Sequence, residues 1–146
     1  FALASLQMRL ASLRFAPLGA DFRNVLVGPT NPADGLQGKS IRRAIFDQWE
    51  SLGLKFEPNR GENGLHASAS PLEGLGELNN WLGIPYGDQV FGKSLINLGV
   101  TEDTLVAWCR DARVTLDVGR VGSIFDEVED KDSEACLAAL VAINAL

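Results

Sequence analysis

At 146 residues the chain is one domain's worth and long enough for a sizeable core, and 46% hydrophobic with 22% charged residues is ordinary for a folded protein. A net charge of −6 and a pI of about 4.7, with no basic run, make nucleic acid and anionic membrane surfaces poor partners. The apolar stretches break well short of the roughly 18 residues that a membrane span needs.

Cys109 and Cys136 stand apart, with a single histidine in the chain and no zinc-ligand spacing. They are expected to be free, buried thiols in a reducing compartment: cytoplasmic or otherwise intracellular, an organelle or a cytoskeletal complex included. The chain opens on Phe1. It is expected to form one domain over residues 1–146, with a piece of a longer chain as the alternative.

Residues 2–14 place Leu3, Leu6, Leu10 and Leu13 on one face of a predicted helix, closed by Pro17 and Gly19. Asn24 to Val27 reads as a short buried strand, and Gly28 to Gly38 as a loop long enough to be functional. From Ser40 to Leu52, Ile41, Ala44, Ile45, Trp49 and Leu52 recur at helical spacing, and Gly53 ends the run. Leu54 to Phe56 and a stretch around Leu65 are expected as further strands.

The next helix has the clearest start. Ser70 and Glu73 have capping-box spacing, Pro71 falls at the first helical position, and Leu72, Leu75, Leu78 and Trp81 predict a helix over 71–82. The lone histidine, His66, falls just before it, where backbone N–H groups and the helix dipole suit an anion. A single histidine is most often a surface or satisfied core residue, so its setting singles it out rather than its type.

Thr101 caps a predicted helix carrying Leu105, Val106, Trp108, Cys109 and Ala112, and Val114 to Val118 alternates like a strand. Ile124 to Val128 reads as a second strand or a helical turn. The acidic run Asp126 to Asp132 reads as a solvated loop, since it lacks the spacing of a calcium loop. Ser133 is expected to cap a last helix through Leu137, Leu140, Val141 and Ile143. The fold expected from these elements is α/β or α+β, a small, mostly antiparallel sheet covered by helices.

Gly87 to Ser94 satisfies the Gly-x-x-x-x-Gly-Lys-Ser phosphate-loop pattern with Lys93. A helix end and a turn precede it instead of a strand, so it reads as a chance match. Gly38-Lys39-Ser40 has a predicted helix after it and lacks the first glycine.

The segment Asn63-Gly64-Leu65-His66-Ala67-Ser68-Ala69-Ser70 resembles the active-site segment of the nucleoside diphosphate kinase family, Asn-x-x-His-Gly-Ser-Asp-Ser, with two changes. The family's following helix carries a glutamate that holds the histidine ring and a tryptophan four residues later; these positions fall on Glu77 and Trp81. Upstream, Val25 to Asp34 is similar to the family's strand and Gly-x-Thr-Asn-Pro-Ala-Asp loop. Gly38-Lys39-Ser40-Ile41-Arg42 is similar to its Gly-Thr-Ile-Arg with one residue inserted. The two pieces keep the family's order and cover about residues 23–82.

The resemblance implies a ferredoxin-like α+β sandwich and ping-pong phosphoryl transfer through a phosphohistidine at His66. It assigns Glu77 and Ser68 to the catalytic group, Thr30, Arg42 and Asn63 to nucleotide and phosphate binding, and Mg²⁺ with a nucleoside triphosphate as the ligand. It also implies a homo-oligomer or a subunit of a larger assembly.

The chain departs from the family in having no Lys-Pro-Asp-Gly motif before residue 24 and no match for a supporting tyrosine. It has Asn24 where the family has an arginine, with Arg23 one residue away, and a longer stretch between Asn31 and Asn63. The alternative expectation is therefore an inactive kinase-like domain with a structural or nucleotide-binding role.

Overall fold

A computed structural model describes residues 22–146 of the chain; the helix expected over 2–14 lies outside them. These residues form six α-helices, α1 (Ile41–Asp47), α2 (Pro71–Leu82), α3 (Val90–Asn97), α4 (Glu102–Trp108), α5 (Ile124–Val128) and α6 (Ser133–Asn144). The strands β1 (Arg113–Asp117) and β2 (Arg120–Ser123) make one antiparallel ribbon between α4 and α5. The architecture is α+β, with helix predominating. Among the described residues no helix is long and apolar enough to cross a membrane.

The core is built from the C-terminal half of the chain. Leu72 and Leu75 of α2 meet Leu95 of α3, Leu105 and Trp108 of α4, Ile124 and Val128 of α5, and Cys136 and Leu140 of α6. Each fully buried leucine contributes roughly 1.5–3 kcal/mol relative to exposure. Between residues 22 and 70 the buried apolar side chains are only Val27, Pro32 and Pro58, and α1 buries none.

α2 follows its sequence signals from end to end. Ser70 Oγ accepts the Glu73 N–H at 3.1 Å, Pro71 takes the first position, and Gly83 closes the helix in the left-handed region at φ 67°. Leu72 and Leu75 are buried, but the apolar stripe runs out before Trp81, which is 56% exposed.

Other elements are shifted from expectation. α1 starts at the expected Ser40 cap, whose Oγ accepts the Arg43 N–H at 3.3 Å, yet it stops at Asp47 and continues to Gly53 as turns. α4 is capped by Thr101 as expected and ends at Trp108, short of Ala112. Asp111 then turns at φ 57°, its carboxylate accepting from Ser123 Oγ and the Phe125 N–H. The partner of the expected 114–118 strand is Arg120–Ser123, and 124–128 is helical. Asp132, not Ser133, caps α6, accepting the Ala135 N–H at 2.8 Å.

The strands expected at 24–27, 54–56 and around Leu65 are not strands. Phe22–Val27 is a wide π-helical turn closed by the Gly28 N–H on the Arg23 carbonyl at 2.9 Å, and the other two segments are irregular. A strand needs a neighbour for its backbone groups. Among the described residues no strand pairs with these segments, and side chains satisfy the backbone at Leu65 instead: its N–H donates to Asn63 Oδ1, and its carbonyl accepts from Arg42.

The phosphate-loop match resolves as packing. Tyr86–Asp88 is a single 3₁₀ turn, and the Lys93 N–H is spent on the Gln89 carbonyl at 2.8 Å inside α3. Gly92 is buried under the Tyr86 carbonyl, and Gln89, buried as well, donates from Nε2 to the Leu75 and Ile84 carbonyls. Alanine at Gly92 would drive a methyl into the Tyr86 carbonyl and to 3.1 Å from Leu75 Cδ1. Gly92→Ala is expected to cost about 1–3 kcal/mol in urea unfolding; an unchanged midpoint would show that α3 shifts freely against this turn.

Both cysteines are free. Burial pushes the Cys109 and Cys136 thiols up to about 11, against the pull of Tyr86 on the first and of a Leu72 backbone contact on the second. Because the folded values lie above the unfolded ones, the unfolded chain loses these protons first as pH rises. Stability is therefore expected to fall between roughly pH 8.5 and 11. At neutral pH both thiols should react with a thiol reagent at least about tenfold faster in urea-unfolded than in native protein; equal rates would contradict the burial.

Candidate functional site

The only histidine sits in a loop held at several points. Gly64 turns at φ 80° and presses against α1, where a side chain at this position would lie 3.1 Å from Ile45 Cδ1. Asn63 Nδ2 donates to the Thr30 carbonyl at 3.1 Å, tying the loop to the Thr-Asn-Pro turn.

Arg42 is the strongest tie. Its Nε and Nη2 donate to the Leu65 carbonyl at 3.1 and 2.9 Å, and its Nη1 donates to the Gly28 carbonyl at 2.9 Å. Burial, and then the charge of Arg23, hold the Arg42 guanidinium below its ordinary pKa. Arg23 grips the far side of the loop, donating to the Ala69 carbonyl at 3.3 Å while pairing with Asp130. The Asp130 N–H donates to the same carbonyl at 3.0 Å. An arginine therefore holds a carbonyl on each side of His66.

α2 completes the arrangement with two carboxylates one turn apart. Glu73 accepts the Ala69 N–H, and Glu77 accepts from His66 Nε2 at 2.5 Å through Oε1 and from Ser68 Oγ at 2.6 Å through Oε2. A carboxylate oxygen against Nε2 favours the N–H there, so in the neutral ring the lone pair lies on Nδ1. The imidazole is 69% exposed and the Glu77 side chain 26%. The arrangement orients the ring against a carboxylate and leaves most of the imidazole open to solvent.

The structure thus brings together His66, Glu77 and Ser68, with Arg42, Asn63 and Thr30 around them. The last three make contacts with the backbone of the loop and of the turn beside it. Thr30 enters by its carbonyl, Asn63 bridges backbone groups, and Arg42 spends three N–H groups on carbonyls. The helix N-terminus is also occupied: Pro71 has no N–H, Ser70 takes that of Glu73, and the Glu73 carboxylate answers the dipole. Trp81 is exposed beyond the site.

Sequence reasoning missed the roles of Arg23 and Asp130, because their contacts with Ala69 join residues 46 or more positions apart. It also missed an open cleft of about 350 Å³ on the Glu77 side of α2, bordered by Glu73, Asn80, Tyr86, Arg110 and Phe125. Among the described residues no group of three His, Cys, Asp or Glu side chains is placed to hold a metal ion. Comparison with protein-family models, characterised proteins and solved structures gives no match.

Arg42→Gln removes the paired hydrogen bonds to the Leu65 carbonyl. It is expected to cost about 1–3 kcal/mol and to speed amide hydrogen exchange over residues 63–69 by about tenfold or more, with α4 and α6 unaffected. Exchange unchanged over that segment would remove Arg42 as the strut.

Proposed function

We propose that the chain is a divergent nucleoside diphosphate kinase-like phosphotransferase that moves a γ-phosphate through a phosphohistidine at His66. The observation that carries this reading is the His66–Glu77–Ser68 arrangement, in which one ring nitrogen is pinned by a carboxylate while the other stays free and accessible. The order of the Thr-Asn-Pro turn and the His66 segment along the chain supports it.

On this reading His66 Nδ1 attacks the γ-phosphorus of a magnesium-bound nucleoside triphosphate. The Nδ1–P bond forms, the β,γ-bridging P–O bond breaks, and the diphosphate leaves with that bond's electron pair. Positive charge grows on the ring, and Glu77 stabilises it through the Nε2–H contact. A second nucleoside diphosphate then takes the phosphoryl group by the reverse step. Magnesium enters with the substrate, as phosphate oxygens and water supply most of its preferred ligands.

Arg42 keeps two of its five N–H groups for the transferring phosphate, and exposed Lys39 stands three residues before it. The reading includes the ferredoxin-like sandwich of the resembled family. Residues 22–146 supply helices and one ribbon, and the proposal assigns the rest of the sheet to a neighbouring chain or domain. Acidic charge and free thiols fit an intracellular protein.

A second reading, an inactive kinase-like domain serving as a structural or nucleotide-binding subunit, is favoured by one observation. Arg42 spends three of its five N–H groups, and Asn63 its side-chain amide, on backbone groups of the loop and of the Gly28–Thr30 turn.

Incubation with γ-labelled ATP and Mg²⁺ tests both. Acid-labile, base-stable label is expected on the wild type and on Lys93→Ala and absent from His66→Ala, with Glu77→Gln slowed about a hundredfold. Wild type without label would exclude the phosphotransfer reading and leave the second.

A further inference from the structure

Asn63-Gly64 is the sole Asn-Gly pair in the chain. In such a pair the side-chain amide carbon of asparagine, Cγ, can close a five-membered ring with the backbone nitrogen of the next residue. Glycine puts no Cβ beside that nitrogen to hinder the closure. The fold decides whether the two groups are free to react.

Here the nitrogen is unspent. Among the described residues the Gly64 N–H has no hydrogen-bond acceptor, and Gly64 is exposed. The Asn63 side chain is turned forward along the backbone: its Oδ1 accepts the Leu65 N–H at 3.4 Å, while its Nδ2 donates to the Thr30 carbonyl at 3.1 Å. The Leu65 contact sets a donor on the oxygen that gains charge when Cγ is attacked, the way an N–H group stabilises an oxyanion. Arg42 holds the Leu65 carbonyl and Gly64 rests against Ile45, so the backbone beside the amide is fixed in this arrangement.

Other positions of similar chemistry are protected. Asp34-Gly35 has the same spacing, but the Gly35 N–H donates to the Pro32 carbonyl at 3.1 Å. Asn31 precedes Pro32, which has no N–H. Asn79 and Asn80 lie within α2. The N–H groups that follow Asn97 and Asn144 are spent on the carbonyls of Ser94 and Leu95 and of Ala142.

We infer that Asn63 is a site of spontaneous deamidation, a modification that loosens the His66 loop. Gly64 N gives its proton to a solvent base and bonds to Asn63 Cγ. The Cγ–Nδ2 bond breaks, and the nitrogen takes a proton from water and leaves as ammonia. Water then opens the succinimide at either carbonyl, giving aspartate or isoaspartate at position 63, with nothing oxidised or reduced. The inference is independent of the phosphotransfer reading.

Both products undo the tie to the Thr-Asn-Pro turn. A carboxylate has no N–H to give the Thr30 carbonyl and sets oxygen against oxygen there. Isoaspartate also adds a carbon to the backbone just ahead of the Gly64 contact with Ile45. His66 follows three residues on, so the modified chain holds its imidazole less firmly.

Incubation of the full chain at neutral pH and physiological temperature, followed by peptide mass mapping, is the test. Conversion of amide to acid is expected at Asn63 before any other asparagine, with isoaspartate among the products, at a rate within about tenfold of that in the urea-unfolded chain. Asn63→Gln, whose longer side chain would need a six-membered ring, is expected to abolish conversion at this position. Asn63→Asp, which reproduces one product, should speed amide hydrogen exchange over residues 63–69 by about tenfold and leave α4 and α6 unaffected. Native protein in which Asn63 converts more than about tenfold slower than in urea, or later than another asparagine, overturns the inference. So does exchange over 63–69 that Asn63→Asp leaves unchanged.

Discussion

The cap at the start of α2, in which Ser70 Oγ accepts the Glu73 N–H and the Glu73 carboxylate accepts the Ala69 N–H, sets where Glu77 meets the loop. Ser70 sets the first turn by accepting the Glu73 N–H, which turns the Glu73 carboxylate back onto the Ala69 N–H. With the helix phase set, Glu77 lies one turn on and on the same face, against Ser68 and His66. A single row of carboxylates thus meets three positions of one loop. Like charges at this spacing cost roughly 0.2–0.5 kcal/mol on an isolated helix. The helix dipole at Glu73 and the donors aimed at both carboxylates offset that cost.

The molecule divides its means of support. The core residues run from Leu72 to Ile143, where burial holds the helices together. The part that carries Arg23, Arg42, Asn63 and His66 buries little and is held by hydrogen bonds to backbone carbonyls. Such bonds contribute about 1 kcal/mol each and break locally. The loop can therefore open without unfolding the core, while α2, which belongs to both parts, transmits position from one to the other.

What the sequence made legible follows from this division. The cap, first-turn proline and left-handed glycine of α2 are local signals, and the helix runs from 71 to 82 as they indicate. The Thr101 cap is equally local. The pairing of His66 with Glu77 was anticipated through resemblance, and no spacing rule alone would have joined residues 11 apart across a loop and a helix. The strands read at 24–27, 54–56 and 65 failed for a nonlocal reason: short apolar runs become strands only beside a partner. The π-helical turn that stands where a strand was expected directs Arg23 to Ala69 and Asp130.

The charges around His66 also constrain what the proposed chemistry admits. Two guanidinium groups, Arg23 and Arg42, stand against four carboxylates, Glu73, Glu77, Glu129 and Asp130, in contact with the loop or with its arginines. The balance is locally negative, and a bare nucleoside triphosphate would meet net repulsion on approach. Magnesium on the phosphates lowers that charge before arrival. In the phosphotransfer reading the metal complex is therefore the species this surface accepts, and the free nucleotide is the weaker ligand. On that same reading the metal carries part of the neutralisation, and the commitment of Arg42 to the Leu65 carbonyl serves to keep His66 in line with Glu77.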